Sequence, residues 1–256
     1  MRLGLEGRRG LVTGGSKGLG EAIARELVSE GARVAICSRD RDEVTATAAD
    51  VGAEYAQAAD VTDPGQVRDL VARTAEALGG IDFLVNNAGG AHPGTFETLS
   101  DEDWVADLEV KLFSLIRCSR EVLPHMRAAG AGRIVNIGAV YSRYPDPTFF
   151  ATSVNRAAGN SFTKTLALEV AKDNILVNGV NIGFVVTPQW ENIHQRRAPD
   201  LSREEFFARF AAQEVPLGRF GVPHEVSGLV TFLLSDRASY ITGASIDVAG
   251  GMGKYV

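Results

Sequence analysis

Thr152 and Arg156 stand four residues apart in FFATSVNRAAGNSFTK, residues 149 to 164, and a helix there puts both on one face, aimed at one neighbour. Neither is a ready proton donor, because a guanidinium keeps its proton near neutral pH and an aliphatic hydroxyl releases one reluctantly. If that helix lines a site of acid–base chemistry, the proton comes from elsewhere. Two candidates lie near the ends of strand-like runs. Tyr141 follows GRIVNIGA (132 to 139) by two residues, and His92 lies five beyond Asn87, in the loop after IDFLVNN (81 to 87). Histidine titrates in the useful range unaided, whereas a tyrosine needs nearby positive charge to bring its pKa down. Tyr141 is either a substitute acid or a ring that lines the pocket; His92 is either a site residue or an ordinary loop histidine.

A second constellation is TGGSKGLG, Thr13 to Gly20, between the strand-like RGLVT (9 to 13) and a segment of helical period. Gly14, Ser16, Lys17, Gly18, Leu19 and Gly20 form a turn whose backbone N–H groups can approach a pyrophosphate at a helix N-terminus, where the dipole favours negative charge. The run RVAICS (33 to 38) ends in Ser38 and Arg39, with no carboxylate to hold the ribose hydroxyls of NAD. Lys17 and Arg39 can instead neutralise a 2′-phosphate, so the expected cofactor is NADP(H).

These residues need a scaffold, and the patterning supplies one. Strands are predicted at 9 to 13, 33 to 38, 54 to 59, 81 to 87, 132 to 139, 175 to 182 and 244 to 249, separated by helices near 18 to 30, 40 to 50, 64 to 78, 101 to 128, 149 to 172 and 223 to 235. Short runs apolar on both faces, alternating with helices, specify an α/β fold: a doubly wound parallel seven-stranded sheet of Rossmann type, as a single domain over 1 to 256. Residues 188 to 220 break the alternation with prolines at their start and middle and an amphipathic piece around Phe206, Phe207 and Phe210. Placed beyond a strand's carboxyl end, this insertion reads either as a substrate-covering flap or as a surface helical hairpin. Lys plus Arg number 26 against 32 Asp plus Glu, a net charge of -6 with both signs scattered, which argues against nucleic acid or an anionic membrane as partner. Cys37 and Cys118 have no zinc-ligand spacing, and no metal site is expected. MRLGLEGRRG runs straight into the first strand with no apolar leader, and no apolar run is of membrane-spanning length, so the expected location is cytoplasmic.

Several blocks together are similar to the short-chain dehydrogenase/reductases, and more closely to their 3-oxoacyl carrier-protein reductase-like members, over nearly the whole chain. They are TGGSKGLG, Asp60-Val61, Asn86-Asn87-Ala88-Gly89, IVNI at 134 to 137, NSFTKTLALE at 160 to 169, VNGVNIGFVVTP at 177 to 188 and the ending SDRASYITGASIDVAGG. The resemblance implies that the glycine turn holds the cofactor phosphates, that Asp60 and Val61 meet the adenine, that Asn87, Ala88 and Gly89 lie beside the ribose, and that Thr187 sits near the nicotinamide carboxamide. Ile182 replaces the proline usual ahead of that threonine.

Members of the family normally carry a catalytic Asn, Ser, Tyr and Lys. By register these positions hold Lys111, Ala139, Thr152 and Arg156. Reducing a carbonyl requires a proton source and donors aimed at the oxygen that gains charge. Ala139 removes one such donor, worth ~3 kcal/mol by analogy with an oxyanion-hole deletion. Arg156 can hold the nicotinamide ribose but cannot relay protons, whereas Lys111 can. Tyr141, its pKa lowered by Lys111 or Arg156, is the expected substitute acid if it is not pocket lining. The reading that results is an NADP(H)-binding oxidoreductase acting on a small carbonyl or alcohol through a non-standard site. Two alternatives stay open: a non-redox enzyme on the same scaffold (elimination, isomerisation or retro-aldol), and a non-catalytic NADP(H)-binding partner subunit. Helices 101 to 128 and 149 to 172 carry apolar residues on more than one face, which with the resemblance implies a homo-oligomer, a tetramer.

Overall fold

The computed structural model describes residues 3–253. Its strands are β1 (Arg9–Thr13), β2 (Arg33–Ser38), β3 (Tyr55–Ala58), β4 (Phe83–Asn86), β5 (Gly132–Ala139), β6 (Ile175–Ile182) and β7 (Ser245–Val248). They form one sheet in the order β3-β2-β1-β4-β5-β6-β7, with every pairing parallel. Successive side chains along a strand point to opposite faces, and here both faces are covered. Val12 packs with Ile23 and Leu27 of α1 (Gly18–Ser29) and Val230 of α9 (Pro223–Leu234). Its neighbour Leu11 packs on the other side with Leu70 of α3 (Pro64–Leu78), Val122 of α5 (Ser114–Ala129) and Val170 of α6 (Phe150–Val170). This two-sided burial is why the strands are near-continuous apolar runs, and the doubly wound fold expected from the sequence is the one observed. Cys37 and Cys118 are free and buried in the second of these cores, where burial pushes the Cys37 thiol up to about 12.

Strand order reverses between β1 and β4, so their carboxyl ends open a crevice, the place where ligands bind in sheets of this kind. Thr13, Gly14 and Asn87 meet there. On the core side, the strands are stitched by a buried ladder: Asn86 Nδ2 donates to Asn136 Oδ1 at 2.8 Å, and Asn136 Nδ2 to Thr163 Oγ1 of α6 at 2.9 Å. These bonds fix α6 in rotation against β5, and with it the face that carries Thr152 and Arg156.

One segment differs from the sequence expectation, and a second is given its form. The single helix expected over 101 to 128 is interrupted: α4 (Asp101–Leu108) passes into one π-turn, Glu109–Phe113, before α5 begins. The Ser114 N–H reaches the Glu109 carbonyl, five residues back, and the added residue sets the Lys111 side chain inward, where it is 1 % exposed. The insertion at 188 to 220 folds as α7 (Pro188–Arg197) and α8 (Arg203–Glu214). It builds an aromatic core of its own, with Phe206, Phe207 and Phe220 packed on Phe184 and Val140 and with Trp190 wedged between Phe184 and Phe220. The remaining helix is α2 (Arg41–Val51).

Candidate functional site

At the carboxyl end of β1 the chain turns through Gly14 and Gly18, both with left-handed φ (63° and 58°), a region that side chains other than glycine's adopt at a cost. Space is the second constraint. A Cβ on Gly14 would lie 2.9 Å from Ala88 Cα; one on Gly15 would lie 2.7 Å from Ile36 Cβ; one on Gly20 would overlap the Gly14 carbonyl oxygen and sit 2.5 Å from Asn87 Nδ2. Asn87 braces the turn from the neighbouring loop, donating through Nδ2 to the Thr13 and Gly14 carbonyls at 3.0 Å each, while its own N–H is held by Thr13 Oγ1 at 3.0 Å. Helix α1 then begins at Gly18, and its N-cap residue Lys17 offers no side-chain cap, as is also the case at α6 and α7. Its first N–H groups are left to an anion at the turn, so backbone, space and dipole fit a dinucleotide pyrophosphate.

The other expected cofactor residues line the same edge. Ser38 ends β2 and Arg39 follows it, exposed. Asp60 accepts from both N–H and Oγ1 of Thr62 at 2.9 and 2.8 Å, which fixes the loop after β3, and Val61 is buried beside it. Gly89 faces the Arg156 guanidinium closely enough that a Cβ would sit 2.9 Å from Nη2. Thr187 and Pro188 close over the turn from the start of α7, with Pro188 Cδ 3.2 Å from where a Gly18 Cβ would be. Gln189 Oε1 takes the Ala91 N–H at 2.9 Å and so ties the insertion to the loop after β4. Lys17 does not stand free: Nζ donates to Glu43 of α2 at 2.8 Å, and Ser16 Oγ donates to the same carboxylate at 2.6 Å.

Across the crevice, the inward turn at Lys111 meets α6. Lys111 Nζ donates to Asp107 Oδ1, one turn back, and to Thr152 Oγ1 at 2.7 Å. Asn155 Nδ2 donates to the second Asp107 oxygen at 2.8 Å. Lys111, Asp107, Thr152 and Asn155 are all buried. Loss of water lowers the Lys111 ammonium from 10.5 to about 8, against the opposing pull of Asp107, and the Arg156 charge lowers it further. Arg156 itself is half-buried and donates to the Ile137 carbonyl at 2.8 Å; desolvation brings it to about 10, so it stays cationic at neutral pH. His92 borders the cluster, with Nε2 3.3 Å from Asp103 and Nδ1 3.7 Å from Asp107, and its side chain is 33 % exposed. Lys111, Thr152, Arg156 and His92 thus come together, and Asp107 and Asn155 join them without having been expected. The signal for Asp107 was present, since an acid four residues before a lysine shares its helix face.

Tyr141 is placed otherwise. Its ring stacks on Phe149 at 5.3 Å between centroids and packs against the aromatic core of the insertion. Burial raises its phenol, and Asp146 and Glu214 raise it further. The expected lowering by Lys111 or Arg156 is absent because carboxylates, not cations, face the hydroxyl. Ala139 ends β5, half-buried, and brings no polar side chain to the site. Among the described residues, no group of three or more His, Cys, Asp or Glu could hold a metal ion, and no helix is long and apolar enough to cross a membrane.

A family model described as enoyl-(acyl carrier protein) reductase matches residues 14–253. A ketoacyl reductase assigned to granaticin polyketide synthase in Streptomyces violaceoruber is 36% identical over 253 residues, covering 96% of this chain and 93% of that protein. Among solved structures, a short-chain oxidoreductase from Pseudomonas aeruginosa, described as containing an atypical catalytic center, superposes with a TM-score of 0.93 at 34% identity over 99% of this chain and 100% of that one; it is also solved with NADPH. L-sorbose reductase from Gluconobacter frateurii, in complex with NADPH and L-sorbose, gives a TM-score of 0.95 at 33% identity with both chains covered completely. Together with the glycine turn at the switch point of a seven-stranded parallel sheet, these matches place the chain in the short-chain dehydrogenase/reductase family.

Proposed function

We propose that this protein is an NADP(H)-dependent oxidoreductase that interconverts a small carbonyl compound and its alcohol through a non-standard proton-handling site. The observation that carries this reading is the buried Asp107–Lys111–Thr152 chain across the crevice from the glycine turn. Solved relatives that bind NADPH support the coenzyme, and Gly14, Gly18, Gly20 and the uncapped start of α1 supply its phosphate cradle. The nicotinamide, when bound, donates or accepts the hydride; the chain must then supply or remove one proton at the substrate oxygen.

Thr152 alone is a poor acid. Lys111 donates to its oxygen, while the threonine hydroxyl itself donates to Asp107 Oδ1 across a long 3.4 Å that a substrate oxygen can replace, and a proton passed outward is replaced from the ammonium. A lysine near 8 suits that task at neutral pH, where the ordinary value of 10.5 does not. Asp107 is a positioning residue: it holds the ammonium in place and keeps it charged despite burial. His92, between Asp107 and solvent, offers a route for reloading the proton. Arg156 keeps a fixed positive charge beside Gly89, suited to a ribose hydroxyl or a developing oxyanion. Tyr141 acts as pocket lining beneath the helical insertion, which covers the substrate as a flap. The exposed apolar side chains Val105, Phe113, Val154 and Leu168 on α4, α6 and the π-turn give a homotetramer its contact surface.

The test is NADPH oxidation across a panel of small aldehydes and ketones, with Thr152→Val beside the wild type. Turnover should appear with at least one carbonyl and fall at least about 100-fold in the variant, the scale of losing one donor to a reacting oxygen, while NADPH binding is kept. A chain that binds neither NADPH nor NADH would overturn the reading.

A further inference from the structure

Glu43 engages Lys17, one of the two cations expected to neutralise a 2′-phosphate. It lies in the first turn of α2, its N–H held by the Asp40 carboxylate at 2.9 Å, and one turn on Thr47 Oγ1 donates to the Ser16 carbonyl at 2.7 Å. α2 is thereby docked on the glycine turn, and the Glu43 carboxylate is delivered to its outer edge. Ser16 Oγ donates to one oxygen at 2.6 Å and Lys17 Nζ to the other at 2.8 Å. These contacts hold the carboxyl below the ordinary glutamate range, Lys17 contributing most. A hydroxyl and an ammonium converging on one anion are also what a phosphate monoester recruits. Arg39, exposed just after β2, completes the basic edge.

We propose that Glu43 is a resident anion in the 2′-phosphate pocket, a specificity-determining residue that makes NADP(H) compete with an internal carboxylate for Ser16 and Lys17. The inference rests on the NADP(H) reading above and adds a term to it. A phosphate dianion and a carboxylate cannot share the same two donors without repulsion, so binding a 2′-phosphate requires the Glu43 side chain to rotate into solvent, which its partial exposure permits. A coenzyme lacking that phosphate leaves the Ser16 and Lys17 contacts intact. Glu43 therefore narrows the preference for NADPH over NADH that Lys17 and Arg39 would otherwise set.

Calorimetric titration of the wild type and Glu43→Gln with NADPH, NADH, adenosine 2′,5′-bisphosphate and AMP tests this directly. The variant should bind NADPH and the bisphosphate about three- to fivefold more tightly, the range for one partly exposed charge interaction, and leave NADH and AMP within about 1.5-fold. Tightening of all four ligands alike, or no tightening of the two phosphorylated ones, would overturn the inference while the coenzyme reading survives. A wild type that binds neither NADPH nor NADH removes both.

Discussion

The two sides of the crevice are built on different physical principles. On the glycine-turn side, the protein works with its backbone: glycines leave room, φ angles of 63° and 58° bend the chain, Asn87 holds carbonyls, and a helix start is left without a side-chain cap. On the Lys111 side, it works with side-chain charge taken out of water: an ammonium and a carboxylate, both buried, joined to a threonine hydroxyl and an asparagine amide. Geometry made from empty space tolerates no added atoms. Chemistry made from buried charge tolerates no removed ones, because a partner left alone keeps its desolvation cost. The first side is thus constrained by the space a phosphate needs, and the second by the balance of charge among its buried groups.

That contrast can be broken at either side. The largest expected effect is at Gly20. Gly20→Ala puts a methyl group into the Gly14 carbonyl and against Asn87 Nδ2, so β1 and α1 must separate; the loss should be ~3 kcal/mol in urea unfolding, with no measurable NADPH binding. If Gly20→Ala were stable and still bound NADPH, close packing would not be what the turn requires.

Next is Lys111→Met, which strands Asp107 in the interior with Asn155 still donating to it, at ~3 kcal/mol, the low end for a broken buried pair, and abolishes turnover. Adding Asp107→Asn should restore much of that stability and none of the turnover, which separates the structural role of the pair from its chemical one. Recovery of both would locate the proton source elsewhere.

A moderate effect concerns pH. The folded Lys111 sits near 8 against an ordinary 10.5, so between these values the unfolded chain binds more protons than the folded one, and stability should rise with pH across that window. Carbonyl reduction needs the ammonium and should decline as pH passes about 8, while alcohol oxidation should rise over the same range. Asp107→Asn removes the attraction that keeps Lys111 charged, so the midpoint should move to lower pH. An unmoved midpoint would assign the titration to another group.

The smallest expected effect is Tyr141→Phe. Its phenol faces Asp146 and Glu214, away from Lys111, and turnover should change less than about threefold, short of the 100-fold typical of lost general acid catalysis. A loss of 100-fold would restore Tyr141 as the acid.

Much of this architecture was legible along the chain. Strands such as RVAICS and ILVNGVNI are observed with the bounds expected, because a run apolar on both faces has no stable place except inside a covered sheet. The glycine turn was equally legible, since glycine spacing after a strand and before a helix is a local property. Less of the chemical side could be read. The helix expected over 101 to 128 gave no sign of its π-turn, whose effect on Lys111 depends on packing against α6. Asp107 offered its i, i+4 spacing to Lys111, but its burial did not follow from spacing. Glu43 looked like one acid among several on the exposed face of α2, and only the docking of α2 against Ser16 and Lys17 set it at the basic edge.

The sequence by itself determined the sheet, its two covered faces and the glycine turn, because these follow from hydrophobic period and from conformational freedom that single residues carry. Only the tertiary structure decided that Lys111 is buried near a pKa of 8 between Asp107 and Thr152, and that Tyr141 faces carboxylates rather than cations. A pKa is set by the water a group loses and the charges that replace it, and both belong to neighbours distant in the chain.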